Sequence, residues 1–268
     1  MKRSLLLTLY FLLFTLFLSG CLNKKVEKTV ERPKIQETVN TVPVDKRPYS
    51  VLSFSDSGRF PVGRELKLEI ADGKNATSIE YELEYQAGTL VQAGVGLINP
   101  KGEKLPLSRD ILLGSCSAGG ACSYSEDVKG GTLVLRFKGS DIGSLKGEWN
   151  FYEPKNDGKL ASRDAKFQLD APKLKNSYVL IAQTLGLPAS PVGGPSKVNG
   201  EVIAGPYHLE TTADGTEDMQ LSMRLNEESS TAVLWMWNGK ELQKIPAETS
   251  GKTLTAKVTS TGTYLVTR

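Results

Sequence analysis

Short runs in which apolar and polar residues alternate, each closed by Gly, Asn, Asp or Pro, recur along most of this chain, and no long amphipathic helical pattern interrupts them. Alternation with period two marks a strand that buries one face. Many such strands divided by turn residues imply an all-β fold. Leu66, Leu68 and Ile70 alternate with Lys67 and Glu69 and stop at Asp72-Gly73. Ile79, Tyr81, Leu83 and Tyr85 alternate with Glu80, Glu82 and Glu84, and Leu90 to Ile98 forms a further strand ending at Asn99-Pro100-Lys101-Gly102. Leu133, Leu135 and Phe137 continue the pattern, followed by Trp149 to Tyr152 and Phe167 to Leu169.

The pattern thins after Ala171-Pro172-Lys173. Tyr178 to Ala182 is a short apolar run, and Gly186 to Gly200 holds Pro188, Pro191 and Pro195, so residues 173–200 are expected to be a linker. A second β unit follows. Met219, Leu221, Met223 and Leu225 alternate, and Thr231 to Trp237 runs into Asn238-Gly239, a strong hairpin signal because both residues tolerate φ > 0. Leu254 to Val258 and Tyr264 to Val266 close the chain. The expectation is two β-sandwich-like domains, at residues 49–172 and 201–268. In the first, Leu97-Ile98-Asn99-Pro100-Lys101-Gly102, Gly147-Glu148-Trp149-Asn150-Phe151-Tyr152 and Asp157-Gly158 resemble strand ends and turns of jelly-roll domains of the proprotein-convertase P-domain type. In the second, Trp237-Asn238-Gly239-Lys240-Glu241-Leu242 with Gly262-Thr263-Tyr264-Leu265-Val266 resembles small sandwich modules of bacterial surface proteins. Both resemblances imply architecture and no activity.

One segment departs from the alternation. Lys2 and Arg3 precede an almost unbroken hydrocarbon stretch from Leu5 to Leu18, which ends in Leu18-Ser19-Gly20-Cys21. A basic start, an apolar core and a small-residue end form an export signal. The final four residues resemble the bacterial lipoprotein lipobox. That resemblance implies cleavage before Cys21, acylation of its thiol, a lipid anchor (palmitate among its acyl chains) and a place in the cell envelope. The competing reading is an uncleaved N-terminal membrane helix, and under either reading the domain is tethered to a membrane. A single acyl chain binds only marginally, so the several chains of the lipoprotein pattern are what would hold the protein.

Residues 22–48 read as a flexible tether, with Pro33, Pro43 and Pro48, scattered charge and no sustained period. Fully extended, such a segment reaches roughly 80 Å, and as a coil about 30 Å. The chain has 33 basic and 30 acidic residues. Two basic residues fall in the leader, and seven basic against four acidic fall in the tether. The part from Tyr49 onward therefore holds 24 basic and 26 acidic residues, which excludes a nucleic-acid binder built on a clustered basic face. With Cys21 assigned to lipid, Cys116 and Cys122 are left in an exported domain and are expected to form a disulfide.

The motifs of catalysis are missing. His208 is the single histidine, so a Ser-His-Asp triad would have to use it, and no Gly-x-Ser-x-Gly elbow is present. No phosphate loop or dinucleotide fingerprint occurs. A pair of carboxylates for glycan hydrolysis would be set by spatial separation and is invisible in sequence. No cofactor is expected. Asp214, Glu217 and Asp218 are the lesser candidates for calcium, though Asp-Gly is also ordinary turn chemistry. The Glu80-Glu82-Glu84 stripe is expected to be a solvated face paired across strands with lysines such as Lys67. In Val233 to Trp237 both faces are apolar, so Trp235 and Trp237 are expected to pack in a core or between domains, or else to bind a protein or glycan partner. The expected function is non-enzymatic: a lipid-anchored envelope protein that binds another envelope or surface component. The alternative is an accessory hydrolase acting on glycan or peptide.

Overall fold

The computed structural model describes residues 38–188 and 198–268. The leader, Cys21 and most of the predicted tether lie outside the described residues. Thr38–Arg268 forms one compact unit. Its strands, in chain order, begin with β1 (Ser50–Phe54), β2 (Glu65–Ile70), β3 (Ser78–Ala87), β4 (Leu90–Ile98), β5 (Leu107–Leu112), β6 (Gly114–Cys116) and β7 (Cys122–Tyr124). Then come β8 (Val128–Lys138), β9 (Gly143–Tyr152), β10 (Lys159–Ala161), β11 (Phe167–Asp170), β12 (Val179–Gln183) and β13 (Val202–Thr211). The last are β14 (Met219–Arg224), β15 (Val233–Trp237), β16 (Leu242–Ile245), β17 (Glu248–Ser250), β18 (Thr253–Val258) and β19 (Gly262–Thr267). The chain is all-β, as the alternation predicts.

A nine-stranded antiparallel sheet, ordered β16-β15-β19-β13-β12-β9-β8-β3-β4, spans the unit. Two smaller sheets cover it: β1-β2-β5 and β10-β11-β14-β18-β17. They pack on opposite faces, which follows from the pleat of β12. Leu180 and Ala182 belong to a core shared with Leu66, Leu68, Ile79, Leu135 and Trp149, whereas Val179 and Ile181 belong to a second core with Phe167, Leu209, Leu221 and Tyr264. Successive side chains point to opposite faces of a sheet, so a strand buried on both sides must be apolar throughout. Val179 to Ala182 meets that demand, each residue being 1% exposed or less. Two sandwich-like halves thus share the long sheet.

This arrangement changes the expected boundary. The stretch read as a linker contains β12, which pairs with β9 on one side and β13 on the other and forms the middle of the molecule. The last residues of the predicted tether are also structured. β9 extends past the end of β12, and its open backbone groups are taken up by residues 39 and 40. Val39 bridges Ser144 in parallel, and Asn40 N–H donates to Ser144 O at 2.9 Å. Arg47 then donates to the carbonyls of Val42 and Asn40 at 2.6 and 3.0 Å.

Cys116 and Cys122 are joined by a disulfide, with sulfurs 2.05 Å apart, across the ribbon of β6 and β7. The Asn238-Gly239 hairpin forms between β15 and β16 with a four-residue loop, because Asn238 Oδ1 accepts from both Lys240 N and Glu241 N at 2.9 Å and holds the turn open to Glu241.

Candidate functional site

Two features of the described residues stand apart from ordinary packing: the outer face of β4, and a cleft between the two halves.

In β4 the usual burial pattern is inverted. The row facing the core is Gln92, Gly94 and Gly96, with only Ile98 at its end a large buried residue, and the row facing solvent is Val91, Ala93, Val95 and Leu97. The cause is crowding by the covering sheet at one position and by β3 at the other: a Cβ on Gly94 would come within 2.6 Å of Ile111 Cγ2, and one on Gly96 within 2.3 Å of the Tyr81 hydroxyl, so both positions favour glycine. The large apolar residues are left outside: Leu90, Val91, Val95 and Leu97 are 63, 69, 70 and 53% exposed. Contiguous exposed apolar rows are uncommon on monomeric proteins and mark interaction sites.

β4 is also an edge. No strand lies beyond it in the nine-stranded sheet among the described residues. Edge strands are normally kept short or charged so that they do not recruit further strands. The other edges here obey that rule. β16 is four residues long and carries Lys244, β10 and β17 are three residues each, and β5 presents Arg109 and Asp110. β1 is covered, since Leu185 N–H donates to Ser50 O at 3.1 Å and Phe54 N–H to Glu210. β4 alone among them is nine residues long, uncharged and uncovered. Beside it on β3 runs the acidic row, whose partners differ from those expected. Glu82 pairs with Arg136 at 3.0 Å and Glu80 with Lys138 at 3.3 Å, while Lys67 pairs with Asp56 in the covering sheet.

The cleft, of about 530 Å³, opens between β1 and β2 on one wall and β13, the start of β19 and the β15–β16 turn on the other. His208 and Glu210 sit two apart on β13 and so share a face, the one opposite Tyr207 and Leu209 of the second core. Thr263, fully buried, links the walls: its hydroxyl lies 2.8 Å from Tyr49 Oη and 3.1 Å from His208 Nδ1. Burial lowers His208 to about 4, so its ring is neutral at pH 7. Burial likewise raises Tyr49 to about 12 against the bond to Thr263, with Glu69 adding to the rise. The Thr263 hydroxyl thus joins the Tyr49 hydroxyl and the His208 ring in one hydrogen-bonded chain across the cleft.

Glu210 is the unusual acid. Its Oε2 accepts from Phe54 N–H at 2.6 Å. Burial nevertheless pushes the carboxyl up to about 7; the Phe54 N–H and Lys67 act against the rise, and Glu69 and Asp56 add to it. The cleft therefore brings together one carboxyl that titrates near neutrality, two further carboxylates and one lysine. Glu210, Asp56 and Glu69 do not stand out in the sequence as His208 does, because the cleft joins segments far apart in the chain, Phe54 and Glu210 being separated by 156 residues.

Of the remaining predicted residues among those described, only Trp237 borders the cleft. Leu234 and Met236 lie in the second core, Trp237 is buried on the other face at the cleft, and Trp235 is half-buried with Nε1 donating to Thr267 Oγ1 at 2.9 Å. The tryptophans thus pack rather than present an aromatic platform. Glu217 and Asp218 converge on Lys173, at 3.1 and 3.3 Å, and not on Asp214. No group of three metal-capable side chains occurs among the described residues. No helix among the described residues is long and apolar enough to cross a membrane.

No protein-family model, curated protein or solved structure matches the chain.

Proposed function

We propose that this chain is a non-enzymatic, lipid-anchored protein of a bacterial cell envelope, held to a membrane through Cys21, whose folded part binds another envelope or surface component along β4. The observation that carries the reading is the inverted, uncharged edge strand. A free edge about 30 Å long offers backbone groups to an added strand, while the outward row of Val91, Ala93, Val95 and Leu97 offers apolar side chains to the same partner. The lipobox and apolar leader support the anchor, and the mildly acidic folded part sets nucleic acid aside.

Capture from solubilised envelope tests the binding. The full chain is expected to recover a stoichiometric component, and Val95→Lys, which leaves the inner row untouched, is expected to lose it. Equal recovery by both would remove β4 from the reading. The anchor has its own test: Cys21→Ala should release the chain from the membrane fraction, and unchanged attachment and mature mass would refute lipidation.

One observation favours the second reading, a hydrolase acting on glycan or peptide. Glu210 titrates near neutrality in a cleft with Asp56 and Glu69, the kind of environment that separates an acid from a base. Turnover of peptidoglycan, polysaccharide or peptide that disappears in Glu210→Gln would replace the first reading with this one.

A further inference from the structure

We infer that the component bound at β4 is a second copy of this chain, joined by antiparallel pairing of the two β4 strands about a two-fold axis at Gly94. This rests on the reading of β4 as the binding edge.

The pairing follows from the strand itself. A two-fold interface must be self-complementary. The register in which Leu90 of one protomer faces Ile98 of its partner is the one that pairs all nine residues, and it sets Gly94 against Gly94. In that register Val91 faces Leu97 and Ala93 faces Val95, so each outward apolar side chain meets another. Cross-strand pairs of this kind are what stabilise a sheet. The inward row pairs Gln92 with Gly96, which adds no bulk where Ile111 leaves no space.

Charge supports self-pairing over anionic occupants. β4 has no charged residue, so two copies meet without repulsion. Their Glu80-Glu82-Glu84 rows stay three strand spacings apart, about 14 Å, which exceeds the screening length of about 8 Å at physiological salt. An anionic membrane surface or an acidic protein pressed on the same face would meet Glu84, the carboxylate of that row without an ion pair among the described residues, Glu80 and Glu82 being matched by Lys138 and Arg136.

The test uses the full-length chain purified in a mild detergent. Val91→Cys combined with Leu97→Cys is expected to give covalent dimers on mild oxidation, because each new thiol faces the other type across the interface. Within one strand the two lie too far apart to join. Glu248→Cys, on the opposite side of the fold, is the collision control and should stay monomeric. Light scattering of the unsubstituted chain should give twice the monomer mass. Val95→Lys should raise the midpoint of dissociation at least tenfold, with an unchanged circular dichroism spectrum. A dimer that ignores Val95→Lys, or cross-links equally through Glu248→Cys, would overturn the inference. If the chain is monomeric and yet captures a different protein through β4, the inference falls and the proposed function stands. If it neither pairs nor captures, both fall.

Discussion

His208 and Glu210, two residues apart on β13, pull the pH dependence of stability in opposite directions, and separating them is a direct test of the cleft. Glu210 moves from its ordinary 4.5 to about 7 in the folded state. The folded protein holds that proton more tightly than the unfolded chain, so the contribution of Glu210 is fully present below pH 4.5 and is lost as pH rises through about 7. At about 1.4 kcal/mol per pH unit the loss comes to about 3 kcal/mol, which solvent in the open cleft reduces to roughly 2. His208 moves from 6.5 to about 4, so its contribution is present above 6.5 and is lost as pH falls through about 4. Between about pH 4.5 and 6.5 the two slopes nearly cancel, and they leave little trace in the unsubstituted protein. Glu210→Gln keeps an acceptor for Phe54 N–H and should expose the histidine slope, with stability falling by roughly 2 kcal/mol from pH 7 to pH 4 relative to the parent. His208→Gln should expose the opposite slope, with stability falling as pH rises from 4.5 to 7.5. Urea unfolding followed by tryptophan fluorescence, at fixed ionic strength from pH 4 to 8.5, gives both curves. Asp56, Lys67, Glu69 and Tyr49 face the same cleft in all three proteins, so each difference reports the substituted group together with its coupling to these neighbours. Variants that track the parent with a constant offset at every pH would refute the buried placement of both groups.

Other expectations concern the frame. Leu180→Ala opens the first core and Ile181→Ala the second, and each should cost about 2–5 kcal/mol in denaturant unfolding. Both should lower a single shared transition, not one of two. Gly131→Ala drives a Cβ to 2.0 Å from the backbone oxygen of Glu84, which cannot step aside. It should cost about 3 kcal/mol and lower Tm by roughly 6–10 °C, while Gly215→Ala, with no atom within 4 Å, should leave Tm unchanged. The Cys116–Cys122 disulfide closes a loop of sequence separation 6, so Cys116→Ser with Cys122→Ser should cost only about 2 kcal/mol in chemical denaturation.

The strands that bury one face were legible. Leu66 to Ile70, Ile79 to Tyr85 and Met219 to Leu225 fall on β2, β3 and β14 almost to the residue, because alternation and one-sided burial are the same fact seen twice. β12 was legible as apolar but not as central, since five residues between Pro- and Gly-containing stretches look like any short loop segment until two cores are found against them. The extent of β4 was readable and its facing was not. A period-two pattern names two rows without saying which is inside, and the answer here depends on Ile111 in another sheet. The cleft was illegible for a simpler reason. Tyr49, Glu210 and Thr263 are neighbours only after β1 has docked on β13 and β19, and no spacing in the chain encodes that meeting.

The overlap of the two cores along the chain has a consequence for how such a protein can be divided. The first core uses residues from Leu52 to Leu185 and the second from Leu160 to Val266, and within that overlap β12 supplies both, through Leu180 and Ala182 on one face and Val179 and Ile181 on the other. A cut after Pro172 would strip β9 of β12 in one product and β14 of β11 in the other, leaving each with a raw edge and a core missing Leu180, Ala182 and Leu185 in the first and Leu160, Phe167, Leu169 and Ala171 in the second. Neither half is therefore expected to fold as a free-standing module, and the natural piece for engineering is Thr38–Arg268 as a whole.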